Sequence, residues 1–191
     1  MRILAFAATS SSTSINKQVV AYASRLIEGG LVDATVETID LNDYEMPIYS
    51  TDRQEAGGIP QPAQDFFDAI GAADVVLISF AEHNGFYTAA YKNIFDWASR
   101  IDMRVFQDKP TLMFSTSPGP GGGGNALKTA IDSGPFFGND VIASLAIPSF
   151  YDNFDMTAGS ITDADLDAQF HAALASLNNL EILTPTQETT T

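Results

Sequence analysis

Cysteine is absent from the 191-residue chain, which excludes disulfides and thiolate metal sites, and no metal site is read elsewhere in it. Basic residues are few, nine against 24 acidic ones, and the formal net charge is −15. Such a surface repels nucleic-acid phosphates and anionic lipid headgroups, so neither nucleic acid nor a membrane is an expected partner. Long apolar runs are also missing: nothing approaches the ~20 residues that a helix needs to cross a bilayer. After Met1 and Arg2 the apolar stretch ILAFAA is short for a secretory signal and lacks a small-residue cleavage pattern. A cytoplasmic location is therefore expected.

What is present is an ordinary globular composition, 45% hydrophobic and 17% charged, in a chain long enough to bury a core as one domain. Near-continuous apolar runs at residues 2–7, 73–80 and 110–116 suit parallel strands covered on both faces. Residues 34–41 alternate and suit an edge strand, and residues 140–147 make a fifth strand. Helical patterning occupies 15–28, closed by Gly29-Gly30, then roughly 62–72, 88–101, 124–133 and 164–180. Strand and helix thus alternate five times, which is the pattern of an α/β, doubly wound parallel sheet with helices on both faces and right-handed crossovers. Five strands predict the flavodoxin-like order 2-1-3-4-5. A single domain over 1–182 is expected, followed by a frayed, disordered tail over 183–191.

In such a sheet ligands bind beyond the carboxyl ends of the strands, at the switch point between the first and third. That singles out three loops. The first, ATSSSTSIN over residues 8–16, runs six hydroxyl residues into the start of a helix. Free N–H groups, the positive end of the helix dipole and the hydroxyls form an anion cradle suited to phosphate. Plain N-capping by Ser14 is the alternative. The second, AEHNGFYTAAYKNIFDW over residues 81–97, puts Glu82, His83, Asn84, Gly85 and Phe86 at the end of the third strand. Asn84 and the backbone at Gly85 can meet the edge of a planar ring, and His83 and Phe86 offer flat faces. Glu82 reads equally well as a solvated turn carboxylate, and a lone histidine at a strand end is more often structural. The third, STSPGPGGGGNALK over residues 115–128, has glycines that let backbone approach a flat ligand closely, or simply make a flexible loop. Neither a dinucleotide fingerprint after the first strand nor a P-loop is present.

Taken together, the loops resemble the NADPH-dependent FMN reductase family, which includes quinone, chromate and azo-dye reductases. The family's first loop reads G-S-x-R-x-x-S-x-N; Ser14 and Asn16 match it, Thr9 is a conservative change, and Ser11 stands where the family has a phosphate-binding arginine. In the family's P-E-Y-N-G-S-x-P-G-x-L-K-N-A-I-D-W pattern, Glu82, Asn84, Gly85, Lys92, Asn93, Asp96 and Trp97 match, whereas Ala81, His83, Phe86, Thr88, Ala89 and Tyr91 depart. STSPG at 115–119 matches the third loop, and DLNDYEMPIYSTD at 40–52 looks like the segment that often helps build a subunit contact.

The resemblance implies an NAD(P)H-dependent oxidoreductase in which FMN carries the chemistry and no side chain need be catalytic. Hydride would pass from NAD(P)H to flavin N5 and on to a small-molecule acceptor by a ping-pong route. It implies phosphate contacts from Thr9, Ser11, Ser14, Ile15 and Asn16, a flavin lined by Glu82, His83, Asn84, Gly85 and Phe86, and a border at Ser117 and Gly119. With Ser11 in the arginine position, FMN is expected to bind weakly. A homodimer or homotetramer is expected. The alternatives are a flavodoxin-like electron carrier and a member that has lost FMN and serves as a binding or scaffold protein.

Overall fold

The computed structural model describes residues 1–180; the tail expected over 183–191 lies outside them. In chain order the elements are β1 (Arg2–Ala8), α1 (Ile15–Leu26), β2 (Thr35–Thr38), α2 (Thr51–Gly57), α3 (Gln61–Ala72), β3 (Val75–Phe80), β4 (Glu82–His83) and β5 (Phe86–Tyr87). They continue with α4 (Ala89–Ile101), β6 (Lys109–Thr116), α5 (Gly124–Ser133), β7 (Asn139–Ile147), α6 (Phe150–Asn153), β8 (Phe154–Asp155), β9 (Ser160–Ile161) and α7 (Ala164–Ala175). Strands β2-β1-β3-β6-β7 form one all-parallel sheet. This is the expected order 2-1-3-4-5.

The near-continuous apolar strands are explained by two separate cores. Along β1, Ile3, Ala5 and Ala7 enter the core shared with α1 and α7, while Leu4, Phe6 and Ala8 enter the one shared with α3, α4 and α5. Alternate side chains point to opposite faces, so a strand covered on both must be apolar at every position. Helix α1 begins where Ser14 Oγ accepts the N–H of Asn16 at 3.2 Å, and it buries Val19, Val20, Tyr22 and Ala23 on one face. Its far end relaxes into a π-type turn over Ile27–Leu31, which Gly30 ends at φ 98°.

Register decides where the loops emerge. Ala8 lies opposite Phe80, Phe80 opposite Ser115, and Thr116 opposite Ile147, so the strand ends are level. The chain leaves β1 for β2 on one side and reaches β3 on the other, which opens a crevice at this edge. Several elements differ from the sequence reading, the short helix α6 among them. Helix α2 and the β8–β9 hairpin were not expected, and residues 82–87 form a hairpin rather than a loop.

Candidate functional site

The three strand-end loops converge on one open cleft of about 310 Å³. From the first loop it is lined by Thr9, Ser11, Thr13, Ser14, Ile15 and Asn16. Ala81, Glu82 and His83 line it from the second, and Thr116, Ser117 and Pro118 from the third. Tyr151, from the short helix after β7, completes the rim. Eight of the twelve residues singled out in sequence are therefore brought together. Asn84, Gly85, Phe86 and Gly119 fall outside the lining.

The head of α1 behaves as a cradle. The N–H groups of Ser12, Thr13 and Ile15 donate to no backbone carbonyl among the described residues, whereas those of Ser11 and Asn16 are taken by Thr9 Oγ1 and Ser14 Oγ, both at 3.2 Å. Asn16 sits differently from the phosphate-facing role expected of it. It is 2% exposed, and its carboxamide makes three hydrogen bonds inside the protein. Oδ1 accepts from Ser79 Oγ at 2.8 Å and from the Thr116 N–H at 3.1 Å, while Nδ2 donates to the Thr116 carbonyl at 3.2 Å. One side chain thus ties the head of α1 to β3 and β6. Lys17, the cation nearest in sequence, is likewise engaged: its Nζ meets Asp40 Oδ2 at 2.5 Å. Burial works to raise the pKa of Asp40, but the Lys17 bond and the Asn42 N–H outweigh it and hold the carboxyl below the usual carboxylate range. Neither lysine nor arginine is among the lining residues.

The second loop is a tight hairpin. Glu82 pairs with Tyr87 and His83 with Phe86, and the turn residues Asn84 and Gly85 both have positive φ, 55° and 79°. That is the geometry which Asn-Gly favours between two paired strands, a signal present in the sequence but not used. Opposed residues share a face, so Glu82 and Tyr87 turn inward, Tyr87 against Phe80 and Tyr91. His83 and Phe86 take the exposed face. The Glu82 carboxylate is not a solvated turn group. Its Oε2 accepts the N–H groups of Asn125 at 2.8 Å and Ala126 at 3.0 Å, capping a helix whose own N-cap, Gly123, has no side chain to do so. Glu82→Ala should therefore destabilise the protein by about 1–2 kcal/mol, the worth of a helix cap with a favourable dipole contact, visible as a fall of a few degrees in thermal unfolding.

The glycines of the third loop serve the protein's own backbone. At Gly122 (φ 58°) an added Cβ would lie 2.8 Å from the Ile147 carbonyl oxygen, and at Gly123 (φ 75°) 3.2 Å from Ser115 Cβ. Ser115 Oγ donates to the Gly122 carbonyl at 2.7 Å. Gly119 lends its carbonyl to the N–H groups of Gly122 and Ser149. The loop is thus pinned across the ends of β6 and β7, and it carries the segment after β7 with it. Nothing in the sequence marked that segment, because its distance from the other loops along the chain hides the proximity.

Comparisons with known proteins place the chain in a family. The family model for NADPH-dependent FMN reductase matches residues 1–151. An NADPH:quinone oxidoreductase of Arabidopsis thaliana is 32% identical over 123 residues, 64% of this chain and 61% of that protein. An NAD(P)H-dependent FMN reductase of Pseudomonas aeruginosa is 29% identical over 119 residues, covering 62% and 61%. The chain thus spans about three fifths of the length of these curated relatives. Among solved structures, the flavoenzyme NAD(P)H:(acceptor) oxidoreductase of Paracoccus denitrificans superposes with a TM-score of 0.71 at 21% identity, covering 93% of this chain and 97% of that one. At that identity the likeness shows the fold, a flavodoxin-like one. With the family model matched from the first strand to the segment after the fifth, the chain belongs to the NADPH-dependent FMN reductase family.

Proposed function

We propose that the protein is an NAD(P)H-dependent oxidoreductase that binds FMN in this cleft and reduces a small acceptor of the quinone class. The observation that carries the reading is the convergence of three strand-end loops on a single cleft at the switch point, with the head of α1 at its floor. The donor set fits a phosphate monoester. Hydroxyls at Ser11, Thr13 and Ser14 surround N–H groups that no backbone carbonyl takes, at the positive end of a 12-residue helix. Beyond it the cleft is lined by Ala81, Glu82 and His83 from the hairpin side and by Ser117 and Pro118 from the third loop.

Bound FMN would supply the two-electron redox chemistry between NAD(P)H and the acceptor, with protons available from water. This chain's residues do the holding. Thr9 and Ser14 shape the cradle by capping their own loop, and Asn16 positions it from beneath. Glu82 ties the hairpin to the head of α5. At about 310 Å³ the cleft is at the lower end of the ~300–1,000 Å³ usual for ligand pockets. Ping-pong kinetics are part of the same reading, donor and acceptor using the one cleft in turn, with parallel lines expected in double-reciprocal plots. Intersecting lines would refute that step. A homodimer or homotetramer is part of the same reading, checked by light scattering on the purified protein.

The direct test is titration with FMN, followed by flavin fluorescence, and then NAD(P)H oxidation with a quinone. Saturable binding and turnover support the enzyme; binding without turnover favours an electron carrier, and no binding at high micromolar FMN favours a scaffold. Because neutral donors replace a guanidinium, Ser11→Arg should tighten FMN by about ten- to a hundredfold, one to two charge-assisted bonds. An unchanged dissociation constant would show that position 11 does not face the phosphate.

A further inference from the structure

The rim of the cleft carries a large aromatic side chain that neither the fold nor the family match accounts for. Tyr151 is 66% exposed, yet the residues on either side of it are anchored. Its neighbour Phe150 is 0% exposed and stacks on Phe154 at 4.7 Å and 19°. The N–H of Phe150 donates to the Ser117 carbonyl at 3.0 Å, and that of Ser149 to the Gly119 carbonyl at 2.9 Å. Ser149 itself adopts a left-handed conformation, φ 43° and ψ 58°, which is strained for a residue with a Cβ. Asn153 Nδ2 closes the turn on the Pro148 carbonyl at 2.9 Å. A strained, braced segment holds a phenol ring out of the core and beside the cleft. The same cleft is lined by one other aromatic side chain, His83, on the hairpin. Two planar faces at one mouth suit a planar ring between or against them.

We infer that Tyr151 is a cofactor-contacting residue, the aromatic face against which the flavin ring rests, and that it sets both the affinity and the emission of the bound flavin. The inference rests on the FMN reading above. The phosphate end is held only by neutral donors, so ring contact supplies a larger share of the binding, and its loss should be conspicuous. A phenol in van der Waals contact with a flavin also quenches its fluorescence by donating an electron to the excited ring and receiving it back, with no net reaction. Tyr151 is the one tyrosine among the residues lining the cleft.

The experiment is FMN titration of the unsubstituted protein, Tyr151→Ala and Tyr151→Phe, recording both the dissociation constant and the brightness of the saturated complex. Tyr151→Ala should weaken FMN about tenfold or more, the worth of one aromatic stacking contact, and leave bound flavin brighter. Tyr151→Phe should keep the affinity within about twofold, since the flat face remains, but brighten the flavin because phenylalanine is a poor electron donor. A purely structural role would not separate the two readouts. Equal affinity and equal brightness in all three proteins would overturn the inference and leave the FMN reading standing. Failure of the unsubstituted protein to bind FMN would overturn both. A change of oligomeric size in Tyr151→Ala with no change in brightness would assign the ring to a subunit contact instead and overturn the inference.

Discussion

Asn16→Ala is expected to lower the stability of the protein by about 3–5 kcal/mol, the largest effect of any single polar substitution near the cleft. The carboxamide serves three buried groups, the Ser79 hydroxyl and the N–H and carbonyl of Thr116. Truncation would leave all three without their partner in a low-dielectric interior, at about 1–3 kcal/mol each before relaxation and water entry reduce the sum. For a domain of this size, each kcal/mol corresponds to roughly 2–4 °C in Tm, so calorimetry should show a drop of about 10 °C. Asn16→Asp gives a sharper check. The carboxylate keeps both acceptor bonds but faces the Thr116 carbonyl where a donor stood, so burial and that carbonyl raise its folded-state pKa above the unfolded value of about 3.9. A raised pKa penalises the folded state above the unfolded pKa, most at neutral pH, and the penalty fades as pH falls and the carboxyl regains a proton to donate. The stability gap to the unsubstituted protein should therefore narrow toward about pH 4. A gap independent of pH would show that Asn16 acts by shape alone.

Gly122→Ala should cost about 3 kcal/mol or more. The positive φ of 58° alone accounts for about 1–2 kcal/mol in any residue with a Cβ. The added methyl would then lie 2.8 Å from the Ile147 carbonyl oxygen, which is strand backbone and cannot step aside. The third loop would have to lift from β7, loosening the Ser115–Gly122 bond and the two bonds that carry residues 149–150. FMN affinity should fall together with Tm. Gly121→Ala is the matched control, since its Cβ would meet nothing within 4 Å and its φ is ordinary; it should be nearly neutral. Equal effects at the two positions would mean that loop flexibility, and not this close approach, is what the glycines provide.

The sheet was legible because burial on both faces leaves no choice of residue: β1, β3 and β6 had to read as unbroken apolar runs, and their level ends then placed the loops. The hydroxyl-rich first loop was legible as the head of a helix for a similar local reason, and Ser14 makes the capping bond that the sequence offered as the alternative to a phosphate contact. What escaped was long-range. Asn16 finds partners 63 and 100 residues away, and Glu82 caps a helix 43 residues on; no window of sequence contains both ends of such a bond. Tyr151 reaches the rim through residues 149 and 150, which bond to the carbonyls of Gly119 and Ser117 in the third loop. The Asn84-Gly85 hairpin is a different case, because its turn signal is local and lies wholly within the sequence.

The Asn16 carboxamide has all its partners within the chain, and Glu82 caps α5 without help. The cradle is thus already built before anything enters it, and little ordering remains to slow association or to be charged against it. Uptake of FMN should be a single fast phase, linear in FMN concentration. With no cation to retain the phosphate, release should be fast too, because affinity differences reside mostly in the off-rate. A flavin held on those terms exchanges with the free pool between turnovers, arriving and leaving as a visitor.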